Sequence, residues 1–582
     1  MSGPNATTWR THSCGELTAN DVGHEVTLCG AVHREAGERT YDLRDALGIT
    51  RVRVAKEPLE ALLKDAQAPK MALETVLQIK GTVAARETPD ENEATGGVLV
   101  EATEIKILSF SRDPLIFDPH APDVPEKDRI RHRYLWLRSR AAHDNFRFRT
   151  QVVAELRRHL VAAHFEEVET PLLANKWTPD SKEAYFAIRD RKKVFALPGY
   201  RPVHGTLLMA SGFDRTFEIA RRFRRKPSYG PWQQPEFDVL DVSLAYVDEA
   251  NLFAAVDGLL GHVWRTILGG EHRFAVTQLT SEESWIKYGT DAPDLRFGLP
   301  VQDLTPLTGK AKSQEVRDLR YTGGAVRVLR VAGASEKLRE NDPALLKLLP
   351  ERTSLHWLGL KGDGTPHDAG SAALDAGLAA EIVAALKLSP GDRALVAISA
   401  VQQSAAKLMG EVRLAVGKQL GLAERKFALA RVTRLPYFRT DPARGEPVPT
   451  GDPLTRAVDG DLDGDPLAAR GYAFYLVLNG VNIGGGAIRN HNEFEQGRTF
   501  RMLRIPPAEL DARYGPLIKA LRFGVPPHGR IAIGVDRLVA LLKGLSAIHE
   551  VIPMPKTAEG TDPLTRSPWP IDNHLVRGLF AL

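Results

Sequence analysis

The residues from Ile219 to Ser243 have the makings of a nucleotide-binding hairpin. An apolar run ends in Phe223-Arg224, a loop rich in Gly and Pro follows, and a second run opens with Gln234-Pro235-Glu236-Phe237. A guanidinium presents a planar fork of donors that matches phosphate and carboxylate oxygens. A second arginine, Arg537, closes Gly534-Val535-Asp536-Arg537, where a strand pattern passes into a helical one. The run Gly484-Gly485-Gly486 would let a ligand approach the backbone, because glycine has no Cβ. Short motifs misfire often, so Asp536-Arg537 also reads as a plain ion pair at a helix start. Acids are scarce in the hairpin loop, where Lys226 stands two residues after Arg224. The two cysteines, Cys14 and Cys29, have neither metal spacing nor a disulfide framework. A reducing surrounding and no metal site follow from them.

Such groups need a scaffold, and 582 residues suffice for about four domains of roughly 150 residues each. Hydrophobic residues at 43% and charged residues at 26% give the balance of a globular chain, which excludes a disordered or fibrous one. A net charge of +4 is compatible with a polyanionic partner without requiring one. No run reaches the roughly 20 apolar residues that span a bilayer. The opening stretch MSGPNATTWRTHS has no apolar core of the secretory kind. A cytoplasmic location without a membrane partner is expected.

Residues 15 to 110 read as short strands: "EVTLCGAV", "TYDLRD", "TRVRVA", "VLQIKGTVAA" and "GVLVEATEIKIL", with the helical "PLEALLKDAQ" between the third and fourth. Five strands and one helix suggest a small Greek-key barrel of the OB type. A stretch rich in Pro and Asp, "SRDPLIFDPHAPDVPEKDRIRHRY", reads as a linker. Helical periodicity returns in "NFRFRTQVVAELRRHLVAAHF". Strand patterns follow in "VFALPG", "FEIARRF" and "PEFDVLDVSLAYV", and "ANLFAAVDGLLGHVWRTIL" is an amphipathic helix. Residues 287 to 420 are rich in Ala and Gly and read as an insertion, because strand-rich sequence resumes at "LARVTRLPYF".

With these elements laid out, the chain resembles aspartyl-tRNA synthetase of the bacterial type, a class II enzyme. The likeness runs from about Trp9 to the C-terminus. "THSCGELTANDVGHEVTLCGAVHR" resembles the family's anticodon-binding barrel, and "RHRYLWLRS" its hinge. "FEEVETPLL" resembles motif 1, whose proline sits at a dimer interface, and "GFDRTFEIARRFR…QQPEFDVLDVS" resembles motif 2. "KYGTDAPDLRFGL" matches the entry to the bacterial insertion. "LVLNGVNIGGGAIRNH" and "PPHGRIAIGVDRLVALLKG" resemble the last catalytic strands, the second being motif 3. The order and spacing make the likeness specific. It implies an α+β multidomain fold: an OB-type β-barrel (1–112), a hinge (113–140), an antiparallel class II catalytic sheet with flanking helices (141–286 and 421–560), an inserted α/β domain (287–420) and a C-terminal extension (561–582).

The resemblance also implies roles. Arg224 and Arg537 would contact the α- and γ-phosphates of ATP or another adenine nucleotide as catalytic arginines. Phe237 would stack on adenine, with Gln234, Glu236, Gly534 and Asp536 beside it. Asp180, in "TPDSK", would meet a substrate amino group, and Gly484, Gly485 and Gly486 would line the substrate. Arg489 would pair with a substrate β-carboxylate, its plainer reading being a structural salt bridge. Arg51 and Arg53 would attract nucleic acid. A tRNA, a small acid or nucleotide, and a second copy of the chain are the implied partners.

The departures cluster. Tyr475 and Asn482 stand where the family has two acids, and neither replaces a hard, charged Mg²⁺ ligand. Gly205 stands where it has a lysine that grips aspartate. Gly451-Asp452-Pro453 replaces a His-His-Pro that closes over the substrate, and Thr40 replaces a phenylalanine that stacks an anticodon base. Tyr229 and Trp232 lie in an altered loop and serve either to stack on a ligand or to pack the loop. The combination reads as a repurposed paralogue that binds an anionic ligand, with aspartate activation, magnesium use and anticodon readout impaired. A working aspartate–tRNA ligase and a non-catalytic RNA- or partner-binding protein are the alternatives.

Overall fold

The computed structural model describes residues 3–570 apart from 176–182, 191–192, 198, 200–201, 271, 335, 340–341, 351–352, 368–373, 442–444 and 446. It divides into two compact units, Met1–Val124 and Pro125–Leu582. The first is a closed barrel of β1 (Glu25–Gly37), β2 (Thr40–Arg44), β3 (Ile49–Val54), β4 (Val76–Ala85) and β5 (Val98–Ser109), in the order β1-β2-β3-β5-β4. The helix Lys56–Asp65 follows β3. Strict alternation makes the barrel close: Val26, Leu28, Leu77, Ile79, Val52 and Val100 all point inward and are buried.

In the second unit an eight-stranded sheet carries the site. Its strands are β6 (Glu166–Glu167), β9 (Arg215–Phe223), β10 (Glu236–Ala245), β11 (Val276–Thr280), β17 (Leu429–Thr433), β20 (Ala473–Leu478), β21 (Val481–Ile488) and β22 (His528–Gly534). They run in the order β11-β17-β20-β21-β22-β10-β9-β6. All neighbours are antiparallel except β11 with β17 and β6 with β9. Two hairpins stand beside it, β7 (Tyr185–Asp190) with β8 (Lys193–Leu197) and β18 (Phe438–Thr440) with β19 (Pro447–Pro449). One face of the sheet is packed by the helices Arg140–Ala162, Glu249–Leu268 and Val535–Lys543. Leu240, Val242, Leu476, Ile531 and Ile533 point into that core. The insertion builds its own sheet of β12 (Gln302–Asp303), β13 (Ala325–Val331), β14 (Thr353–Leu360), β15 (Pro366–His367) and β16 (Arg393–Ser399), in the order β12-β13-β16-β14-β15.

The mixed α+β architecture expected from the sequence is the one observed. The linker-like stretch is more ordered than its composition suggests. Helices form at Glu126–Arg131 and Arg133–Trp136. Arg133 is fully buried and donates to the carbonyls of His549, Ile552 and Pro553 at 2.7, 2.7 and 2.9 Å. Its charge is solvated by backbone dipoles rather than by water, although burial still lowers its pKa to about 10. Among the described residues no helix is long and apolar enough to cross a membrane.

Candidate functional site

The sheet's period of two assigns the other face to a cleft of about 500 Å³. On β10, Leu240 and Val242 enter the core, so Phe237, Val239 and Asp241 face the cleft. On β22, Ile531 and Ile533 enter the core, so Arg530, Ala532 and Gly534 face it. Pairing of Val239 with Gly534 and of Ser243 with Arg530 sets two ends to the cleft, four residues apart. At about 3.3 Å per residue that is about 13 Å.

The Arg537 end lies where β22 gives way to the helix Val535–Lys543. Arg537 donates from Nε to the Trp232 carbonyl at 2.8 Å and from Nη1 to the Asn482 carbonyl at 2.6 Å. Among the described residues no carboxylate is hydrogen-bonded to it, and burial, then the nearby Arg224, lowers its pKa. Asp536 turns away from it. The Asp536 carboxylate takes Arg149 Nη1 at 2.5 Å and the Asp238 amide at 2.9 Å, and burial raises its pKa despite Arg149. Arg224 is fixed through its backbone, donating to the Pro235 carbonyl at 2.8 Å. Its side chain stands 3.3 Å from the half-exposed Glu183. Phe237 and Lys226 line the cleft.

Other predicted residues are placed by the fold in supporting positions. Gln234 clasps the backbone of Lys556, donating to its carbonyl at 3.0 Å and accepting from its amide at 2.7 Å. Glu236 stands between Lys556 at 3.5 Å and Arg221 at 3.7 Å. Tyr229 packs the loop. Its side chain is buried, and its hydroxyl donates to the Arg224 carbonyl at 2.8 Å while accepting from the Lys226 amide at 2.9 Å. The glycines are required by the sheet. A Cβ on Gly485 would sit 2.2 Å from the Phe474 carbonyl oxygen, and one on Gly484 would sit 2.1 Å from that of Ala532. A bulge between Leu476 and Val477 lies opposite them, and Asn482 Oδ1 accepts from the Gly484 amide at 2.9 Å. Tyr475 also lines the cleft, and burial raises its phenol pKa, so it stays neutral.

At the Arg489 end, each described guanidinium that lines the cleft meets a carboxylate. Arg489 and Asp452 form a buried ion pair, 5% and 8% exposed at their side chains. Arg530 donates to Asp241 Oδ1 from Nε at 2.9 Å and Nη2 at 2.6 Å. Arg222 holds the other Asp241 oxygen and donates to Glu218 at 2.6 Å. Burial pushes Asp241 up, but Arg530 and Arg222 outweigh it and leave its pKa low. Burial and the adjacent Asp241 raise Glu218, although Thr170 donates to it from N and Oγ1 at 2.8 Å each. Gly205 lies alongside: a Cβ there would come 3.0 Å from Ser243 Oγ and 3.8 Å from Arg530 Cδ. Asp180 lies outside the described residues.

In the barrel, Arg51 donates to Asp42 from Nε at 2.8 Å, and Arg34 donates to the same carboxylate at 2.5 Å. Arg53 pairs with Glu101, Nε at 2.9 Å. The candidate phosphate-binding arginines of this unit are therefore ion-paired with acids of neighbouring strands.

Arg222, Asp241 and Arg530 do not stand out when the sequence is read for motifs. Their signal is present in another form. Arg222 in "IARRF" and Arg530 in "GRIAIG" are charges at cleft-facing positions of otherwise apolar strands, and an arginine is rarely buried without a partner. What the strand pattern lacks is the partner, which comes from β10.

Residues 125–558 match the family model of class II tRNA synthetases (D, K and N). The chain is 34% identical over 581 residues to the aspartate–tRNA(Asp/Asn) ligase of Rhodopirellula baltica, covering 97% of each chain. It is 32% identical over 578 residues to the aspartate–tRNA ligase of Bacteroides thetaiotaomicron, again with 97% of each covered. Among solved structures, an asparaginyl-tRNA synthetase of Entamoeba histolytica in complex with asparaginyl-adenylate matches with a TM-score of 0.56. It is 15% identical, with 92% of this chain and 95% of that one covered.

Proposed function

Since the chain belongs to the class II tRNA synthetases of the D, K and N group, we propose that its cleft holds an adenine nucleotide joined to an acyl group, with magnesium-dependent aspartate activation and tRNA charging impaired. Arg537, Arg224 and Lys226 supply positive charge to the phosphate, and Phe237 supplies a face for the adenine. Class II activation by this family needs Mg²⁺ on the triphosphate, and Mg²⁺ needs hard oxygen donors, usually carboxylates. The observation that carries the reading is the donor set at Tyr475 and Asn482. One is a neutral phenol. The other has its side-chain oxygen taken by the Gly484 amide and its carbonyl by Arg537. These two residues do not fit the metal. A phosphate bound without metal must be neutralised by the cations alone, and the cleft supplies them.

Family membership brings a tRNA and a second copy of the chain into this reading as partners, the latter through the segment around Pro171. Specific anticodon reading is not part of it, since Thr40 offers no stacking face and Arg51 is engaged by the buried Asp42. The names of the relatives favour a second reading, a working aspartate–tRNA ligase. Aspartate-dependent exchange of pyrophosphate into ATP, measured on the purified chain with Mg²⁺, separates the two. No exchange above background is expected. Robust exchange overturns the impaired reading and favours the ligase.

A further inference from the structure

Arg489 and Asp452 both line the cleft, and both are almost completely buried. Their pairing puts a carboxylate of the protein itself on a guanidinium that lines the cleft. The rest of that end is balanced in the same manner. Arg530 and Arg222 close on Asp241, and Arg222 also closes on Glu218. Among the described residues, no Lys or Arg lining this end lacks a carboxylate. Resting on the reading of the cleft as an adenylate site, we propose that Asp452 is a specificity-determining residue. By occupying Arg489 from within the protein, it restricts the acyl end to a substrate whose side chain carries no negative charge.

The physical argument is one of crowding charge. A second carboxylate entering here must either displace Asp452 from a buried pair or lie beside it. Displacement breaks the buried Arg489–Asp452 pair, and juxtaposition sets two like charges in a low-dielectric pocket. Rejection by an unfavourable charge is a direct route to specificity. An uncharged group meets neither difficulty.

The test uses two non-hydrolysable ligands of nearly equal shape, the asparaginyl and aspartyl forms of 5′-O-sulfamoyladenosine. Isothermal titration calorimetry on the full chain measures their affinities, with AMP as the probe of the Arg537 end. The wild type is expected to bind the asparaginyl form at least tenfold more tightly. Asp452→Ala, which removes the Asp452 carboxylate from Arg489, and the isosteric Asp452→Asn, which removes only the charge, are each expected to shift that ratio at least tenfold toward the aspartyl form. A merely structural residue would weaken both ligands alike. The proposal is overturned if the wild type prefers the aspartyl form or if neither variant moves the ratio. AMP binding with an unmoved ratio removes this inference alone. Failure of AMP and of both analogues to bind the wild type removes the adenylate reading and this inference with it. Should Asp452→Ala fail to fold, Asp452→Asn carries the test.

Discussion

At one end of the cleft Arg537 is held by two backbone carbonyls, whereas at the other Arg489, Arg222 and Arg530 are held by Asp452, Glu218 and Asp241. The side chain is the same but its consequence differs. Carbonyl dipoles orient a guanidinium and leave its unit charge for a ligand. A carboxylate cancels that charge. Arginines in one cavity are therefore not equivalent as anion sites, and counting them overstates what the cavity can attract. About 13 Å of strand separates the two regimes.

Three substitutions test the contrast. The largest effect is expected for Asp241→Ala, which takes a shared carboxylate away from two buried arginines, Arg222, which keeps Glu218, and Arg530. Removing one partner of a buried charge network destabilises by about 3–5 kcal/mol. Guanidinium chloride unfolding measures this, and a loss below about 1 kcal/mol would show that the two arginines do not depend on Asp241. The middle effect belongs to Arg537→Ala. Losing charge-assisted hydrogen bonds to phosphate is worth about 2 kcal/mol, or roughly a 30-fold rise in the Kd of AMP. Calorimetry reads this change, and an unaltered Kd would remove Arg537 from the binding surface. The smallest effect is expected for Glu183→Gln beside Arg224. A half-exposed pair contributes about 0–1 kcal/mol, so stability should scarcely move and AMP should bind no more than about twofold tighter. A larger gain would mean that Arg224 is as neutralised as the arginines of the other end.

Much of this was legible in the chain itself. Alternation in "EVTLCGAV" and "VLQIKGTVAA" gives barrel strands, because a half-buried strand must bury every second side chain. The order of motifs around Arg224, Gly484 and Arg537 gives the catalytic sheet. Tyr475 and Asn482 are legible as a phenol and an amide where the resemblance implies acids. Partnership was the harder matter. Asp536-Arg537 could be read as an ion pair between neighbours, yet Asp536 pairs with Arg149, far back in the chain. Gln234 reads as a ligand contact, yet its amide is taken by the backbone of Lys556. Tyr229 reads equally as a stacking platform, yet it seals its own loop.

The sequence by itself determined which residues are present and, through its period of two, which face of each strand they occupy. Local sterics and the transfer of apolar side chains out of water suffice for that, and both act over a few residues. Only the tertiary structure decided which charges remain available. Arg489 meets Asp452 across 37 residues of chain, and Arg530 meets Asp241 across 289. Electrostatic neutralisation depends on distance in space, and no local pattern of residues encodes it.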